Sequence, residues 1–138
     1  MKAYLHAFIG GFVATLLFHQ GLLAALHVLA AAPAPFDMSS TPPLGIPKVI
    51  SLAFWGGVWG AALLPFLRGL SGAKYWAGWI VTGALGPSLV ALLIVFPLKG
   101  MAFAAGGDPK IWVGAFLLNG AWGLGVAVYL RSFAHGAR

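Results

Sequence analysis

The sequence predicts an all-α integral membrane protein. Its four transmembrane helices form two parallel-repeated hairpins, one from helices 1 and 2 and one from helices 3 and 4, with both termini on the cytoplasmic side. Three observations predict this. Hydrophobic residues make up 61% of the 138-residue chain and charged residues 7%, whereas a water-facing surface brings a domain to about a quarter charged. Apolar runs recur at 6–31, 47–67, 75–98 and 109–130, each near the ~20 residues a helix needs to cross ~30 Å of hydrocarbon. Two phrases, GIPKVISLAF from Gly45 and GDPKIWVGAF from Gly107, are nearly the same. In lipid every backbone polar group must pair internally, which favours helices. A barrel would instead show alternating strands of about ten residues.

The first run carries Lys2, an apolar stretch and the small residues LAAAPA, which together resemble a cleavable secretory signal. The run is long for one, and His19, Gln20 and His27 interrupt it. Removal would also leave one repeat without its first helix, so a retained span is expected. The segment 32–46 is rich in proline (Pro33, Pro35, Pro42, Pro43) and reads as an extended, polyproline-like outer loop. GLSGA at 69–73 is short enough to make spans two and three a tight antiparallel pair. The connection 99–108 is rich in Gly and Ala. Asp108 then suits the N-cap of the fourth span, with Pro109 in its first position.

Lys and Arg assign the sides. Lys2, Arg68, Lys74, Arg131 and Arg138 fall at one end. Lys48, Lys99 and Lys110 fall at the other with both acids, Asp37 and Asp108. The richer end is expected in the cytoplasm of a bacterial-type inner membrane, with Trp76 and Trp79 near that interface and Trp112 near the outer one.

The repeat extends past ten residues. Gly45, Pro47, Lys48, Ala53 and Phe54 match Gly107, Pro109, Lys110, Ala115 and Phe116. After one inserted residue, Gly57, Trp59, Gly60, Leu67 and Arg68 match Gly120, Trp122, Gly123, Leu130 and Arg131. GFVAT from Gly11 aligns more faintly with GWIVT from Gly78. A hairpin returns the chain to its starting side, so two copies are expected to face the same way about a pseudo-two-fold axis along the membrane normal. The glycines Gly56, Gly57, Gly60, Gly120 and Gly123 are expected at helix contacts, where small residues let backbones approach.

Composition also limits the chemistry. There is no cysteine, hence no disulfide framework or thiolate metal site. The basic residues are too few and scattered to track a nucleic acid, despite a pI near 10.2. No carboxylate pair is available for acid–base catalysis, because both acids fall in loops. Phosphate-cradling glycine motifs lack their strand context. No catalytic residue and no metal site is proposed.

What remains is a polar layer, placed near mid-depth by counting: His19, Gln20, Ser88, Asn119 and the tryptophans Trp59 and Trp122. Gly86–Pro87 would kink span three at the depth of His19–Gln20. Polar groups there are either hydrogen-bonding glue between helices or a ligand site. His19 is expected to face protein and bond a group on span three or four. No cofactor is expected. The alternative is haem b ligated by His19 or His27 of two copies, since no other span carries a histidine.

The leading functional expectation is a small accessory or structural membrane subunit, not an enzyme, acting through helix contacts with another membrane protein or with itself. One alternative is a dimeric transporter or channel for a small neutral or amphipathic solute. The other is a haem- or lipid-binding protein. The bilayer is the expected environment, and nucleic acid is not an expected partner.

Overall fold

The computed structural model describes residues 1–134, so Arg138 and His135 lie outside the described residues. Four helices are long and apolar enough to cross a membrane: α1 (Lys2–Val28), α2 (Lys48–Leu67), α3 (Gly72–Leu98) and α4 (Pro109–Phe133). Among the described residues the only strands are β1 (Ser40–Thr41) and β2 (Ile46–Pro47).

Backbone chemistry sets the helix ends. α1 stops at Val28, before the run of apolar residues does. Ala30 turns to φ 56, Ala31 N–H donates to Leu26 O and Ala30 N–H to His27 O. That is a left-handed helix cap, which satisfies carbonyls the helix leaves open. α3 ends in the same way at Gly100, where φ is 75 and Met101 N–H reaches Phe96 O. α4 begins as the sequence suggests, with Asp108 Oδ1 accepting Lys110 N–H at 2.9 Å and Pro109 in the first turn. α3 starts at Gly72, a little earlier than the apolar run, and α4 continues to Phe133.

The loop 32–46 departs from the extended form that its prolines predict. It folds back as an antiparallel ribbon, pairing Ser40 with Pro47 and Thr41 with Ile46. Thr41 Oγ1 donates to Ile46 O at 2.6 Å and closes the ribbon. Asp37 Oδ1 takes both the hydroxyl and the N–H of Ser39, and Lys48 Nζ lies 3.3 Å from Asp37 Oδ2. The connection 99–108 coils left-handed through Ala104, Ala105 and Gly106. Trp112 Nε1 holds it by donating to Ala104 O at 2.8 Å.

The helices pack in the order α2–α1–α4–α3, with α1 and α4 central. α1 meets α2 through backbone. A Cβ added at Gly11 would lie 2.1 Å from Gly56 O, and one at Gly60 would lie 2.3 Å from Ala7 O. α3 meets α4 in the same manner, with a Cβ at Gly123 falling 2.1 Å from Trp79 O. α1 meets α4 through Gly10 under Tyr129 and Gly125 under Phe18. α2 and α3 touch only sparsely, at Trp59 over Gly86 and at Leu67 and Leu70 over Gly78. A pure two-fold would make the α1–α4 and α3–α2 contacts equal, and they are not. The buried core runs along the α1–α4 seam and includes Ala7, Ala14, Trp79, Trp122, Val126 and Leu130.

Candidate functional site

A buried polar contact joins α4 to α1, with α2 packed against it. Trp122 Nε1 on α4 donates to Gly11 O on α1 at 3.0 Å. The same carbonyl accepts Thr15 Oγ1, one turn on, at 2.9 Å. Gly56 of α2 seals the contact: a Cβ there would stand 2.0 Å from Thr15 Oγ1 and 3.1 Å from Trp122 Nε1. Extra donors on one helical carbonyl compete with the backbone ladder. A π-helical turn follows at once, over Thr15–His19, as expected where side chains intrude on that ladder. Thr15 is 2% exposed, and the sequence reading passed over it. Its signal was the spacing of Gly11 and Thr15, one helical turn apart.

Ser88 and Asn119 do meet. Asn119 Nδ2 donates to Ser88 Oγ at 2.9 Å, joining α4 to α3. Ser88 is fully buried and Asn119 half-buried. Pro87 lies inside α3, and a second π-helical turn follows at Ala91–Val95. Proline supplies no N–H and pushes away the carbonyl four residues back.

Gln20 sits elsewhere. Its Oε1 accepts Phe36 N–H from the 32–46 loop at 2.6 Å, and the residue is 3% exposed. Its Nε2 faces His19 Nδ1 at 3.2 Å. With Oε1 taking the Phe36 proton, Nε2 is the donor and His19 Nδ1 the acceptor, so the ring carries its proton on Nε2. His19 is half-buried, and among the described residues no group on α3 or α4 hydrogen-bonds it. This corrects the expected contact to span three or four. Counting placed His19 and Gln20 at mid-depth, but α1 starts at Lys2, which moves both toward the loop end.

Trp59 and Trp122 occupy matched places in the sequence and different surroundings. Trp59 is half-buried and lays its ring on Gly86, 3.3 Å from the position a Cβ would take. The expected single layer is therefore three separate clusters: Gly11–Thr15–Trp122, Ser88–Asn119, and His19–Gln20–Phe36.

The packing glycines divide the same way. Gly57 lies under the Phe8 ring, and Gly120 is looser, with Ala84 Cβ 3.6 Å from an added Cβ. The remaining histidines stand apart. The His6 ring tilts against Tyr129 at 6.3 Å, and His27 Nδ1 lies 3.0 Å from Ala32 O. Among the described residues no three His, Asp or Glu side chains gather as a metal site would require. Two hollows border the bundle. One, of about 280 Å³, is an apolar groove on the outward face of α3 and α4, along Ile80, Ala84, Gly120 and Leu124. The other, of about 170 Å³, lies where α2 ends and α3 begins.

No protein-family model, curated protein or solved structure matches this chain.

Proposed function

We propose that this chain is a small accessory or structural subunit of a bacterial-type inner membrane, not an enzyme, which works through helix contacts with another membrane protein or a second copy. One observation carries the reading. The buried and half-buried polar groups within the spans are occupied by the chain's own helices: Trp122 bonds Gly11 and Asn119 bonds Ser88 between helices, and Thr15 bonds Gly11 within α1. Such bonds are worth roughly 1 kcal/mol each in a membrane and act as glue. The apolar groove beside Gly120 offers close backbone approach to an outside helix. Transport through one copy finds less support, because a solute would have to displace these bonds.

The topology proposed with it has both ends in the cytoplasm, from the excess of Lys and Arg at the end marked by Lys2, Arg68, Lys74 and Arg131. Reporter fusions at 70–73 and at the C-terminus should read cytoplasmic, and fusions at 33–43 should read external.

The hairpin duplication also belongs to this reading, with one change of register. In the register read from the sequence Gly11 matches Gly78, and Thr15 Oγ1 and Thr82 Oγ1 bond back to those two glycine carbonyls. The helix crossings favour a different register, with Gly83 as the counterpart of Gly11. Gly11 approaches Gly56 and Gly60, whereas Gly83 approaches Asn119 and Gly123, the matched positions on α4.

The deciding experiment is native mass spectrometry of the chain in mild detergent, with Ala121→Trp as the variant that fills the groove, which Ala121 also lines. A stoichiometric partner or a second copy, lost in Ala121→Trp while helicity is kept, is the expected result. A strictly monomeric chain that moves a solute into liposomes would overturn the reading.

A further inference from the structure

At the end of the bundle carrying Lys2, Arg68, Lys74 and Arg131, a cavity of about 170 Å³ opens between the end of α2, the start of α3 and the end of α4. A water takes about 30 Å³ of liquid, so the space suits several waters or one tetrahedral oxyanion. Its polar lining includes Arg68, Arg131 and Ser71, with Gly72 beginning α3 beside them. Ser71 occupies the N-cap position, yet its side chain makes no capping bond. The first N–H groups of a long helix are therefore left as donors, at the positive end of its dipole.

The other walls add to this character. Arg131 is held over the Trp76 ring, 5.6 Å from its centroid. Trp79 lines the cavity and is fully buried, and its Nε1 has no hydrogen-bond partner among the described residues. Tyr75 hydroxyl donates to Ala127 O at 2.8 Å, which fixes α3 on α4 just there. Neither arginine meets a carboxylate among the described residues; the one ion pair they include is Lys48 with Asp37 at the opposite end. The chain's only other acidic side chain, Asp108, caps α4 at that opposite end as well.

Two arginines, the uncapped start of α3 and a tryptophan whose buried indole N–H has no partner among the described residues thus line one cavity. We infer that this cavity binds a phosphate group, that of an anionic phospholipid. The guanidinium fork matches phosphate oxygens in pairs. Basic pockets between transmembrane helices at a membrane surface suit such headgroups. The sparse contact of α2 with α3 gives the lipid tails a path out of the same opening. The inference is independent of which partner the α3–α4 groove receives.

The test is native mass spectrometry of the full chain in a non-ionic detergent, titrated with phosphatidylglycerol, phosphatidylcholine and inorganic phosphate. One phosphatidylglycerol per chain is expected, held roughly tenfold more tightly than phosphatidylcholine. Arg68→Gln with Arg131→Gln should lower that affinity about tenfold. Lys2→Gln with Lys74→Gln, the same charge change at the same end, should leave it nearly unchanged. Arg68→Lys with Arg131→Lys keeps the charge and the fold but loses the fork, and should give an intermediate loss. Failure of millimolar phosphate to displace the lipid assigns the site to a headgroup, whereas displacement by phosphate with no preference for phosphatidylglycerol overturns the lipid assignment. Equal loss in the arginine and lysine pairs, or no preference and no phosphate binding, overturns the site.

Discussion

Trp122 Nε1 on α4 donates to Gly11 O on α1 across 3.0 Å, at a point where Thr15 Oγ1 already reaches the same carbonyl. This bond lies on the central seam of the bundle and fastens the second hairpin to the first. Trp122→Phe keeps most of the ring volume and removes the donor. Gly11 O retains Thr15, so the loss should be modest, roughly 1 kcal/mol in a detergent unfolding titration. Trp122→Ala also opens a void beside Gly56 and should cost several times more. Equal losses for the two variants would show that the bond contributes nothing.

The glycines separate by what an added methyl group would strike. Gly56→Ala would place Cβ 2.0 Å from Thr15 Oγ1 and 2.9 Å from Gly11 O, and Gly123→Ala would place it 2.1 Å from Trp79 O. The helices must move apart, at a cost of about 1–3 kcal/mol. Gly21→Ala and Gly114→Ala meet nothing within 4 Å, and alanine is the better helix former by about 1 kcal/mol. Those two should be neutral or stabilising. The unfolding midpoints of the four variants check the contrast; a destabilising Gly114→Ala with a tolerated Gly123→Ala would contradict the packing described.

The four spans were legible because apolar length alone identifies a membrane helix, and Asp108–Pro109 spelled out the start of α4. The positions of the polar groups were less so. A helix surrounded by lipid and other helices is apolar on every side, so periodicity does not reveal which face is inward. Depth by counting also fails where the helix start is misjudged, which is how His19 and Gln20 were placed too deep. The contact of Ser88 with Asn119 was anticipated as a shared depth, not as a bond. Thr15 went unnoticed because a threonine that bonds its own helix looks like any other small residue. Trp79, Arg68 and Arg131 gather only after α2, α3 and α4 have packed.

Ser88 and Asn119 can be tested as a pair. Ser88→Ala removes the acceptor from a half-buried Asn119, whereas Asn119→Leu removes the partner of the fully buried Ser88 hydroxyl. The double-mutant cycle should return a coupling of roughly 0.6 kcal/mol, the usual scale for such bonds between membrane helices. A coupling indistinguishable from zero would remove this pair from the contacts that hold α3 to α4.

Asp37 gives the 32–46 loop a pH response. The Ser39 hydroxyl and then the Ser39 N–H hold its carboxyl below the ordinary carboxylate value, against an opposing effect of desolvation, and Lys48 adds a lesser lowering. A depressed folded-state pKa means that the contribution is complete above the unfolded value, about 3.9, and is lost as pH falls through the folded value. The Ser39 amide resonance should therefore move with a midpoint below the ordinary carboxylate value of about 3.9. It should not titrate in Asp37→Asn. A midpoint at or above the ordinary value would show that Ser39 and Lys48 do not hold the carboxylate.

Gln20 decides whether the 32–46 loop is fastened to the bundle. Its Oε1 accepts the Phe36 N–H at 2.6 Å, while its Nε2 is directed at His19 Nδ1. Turning the amide over would aim a donor at the Phe36 N–H, so the Phe36 contact fixes which end of the amide faces His19. Gln20→Leu removes both and leaves the Phe36 N–H to find water, at a cost of about 1–3 kcal/mol if it stays buried. The loop should instead lift. Hydrogen exchange at Phe36 and proteolysis within 33–43 should both speed up, with the spans unchanged by circular dichroism. Gln20→Glu keeps an acceptor for Phe36 and should preserve protection there, while its carboxylate demands a proton from His19. Unchanged exchange at Phe36 in Gln20→Leu would mean that the ribbon β1–β2 holds the loop alone.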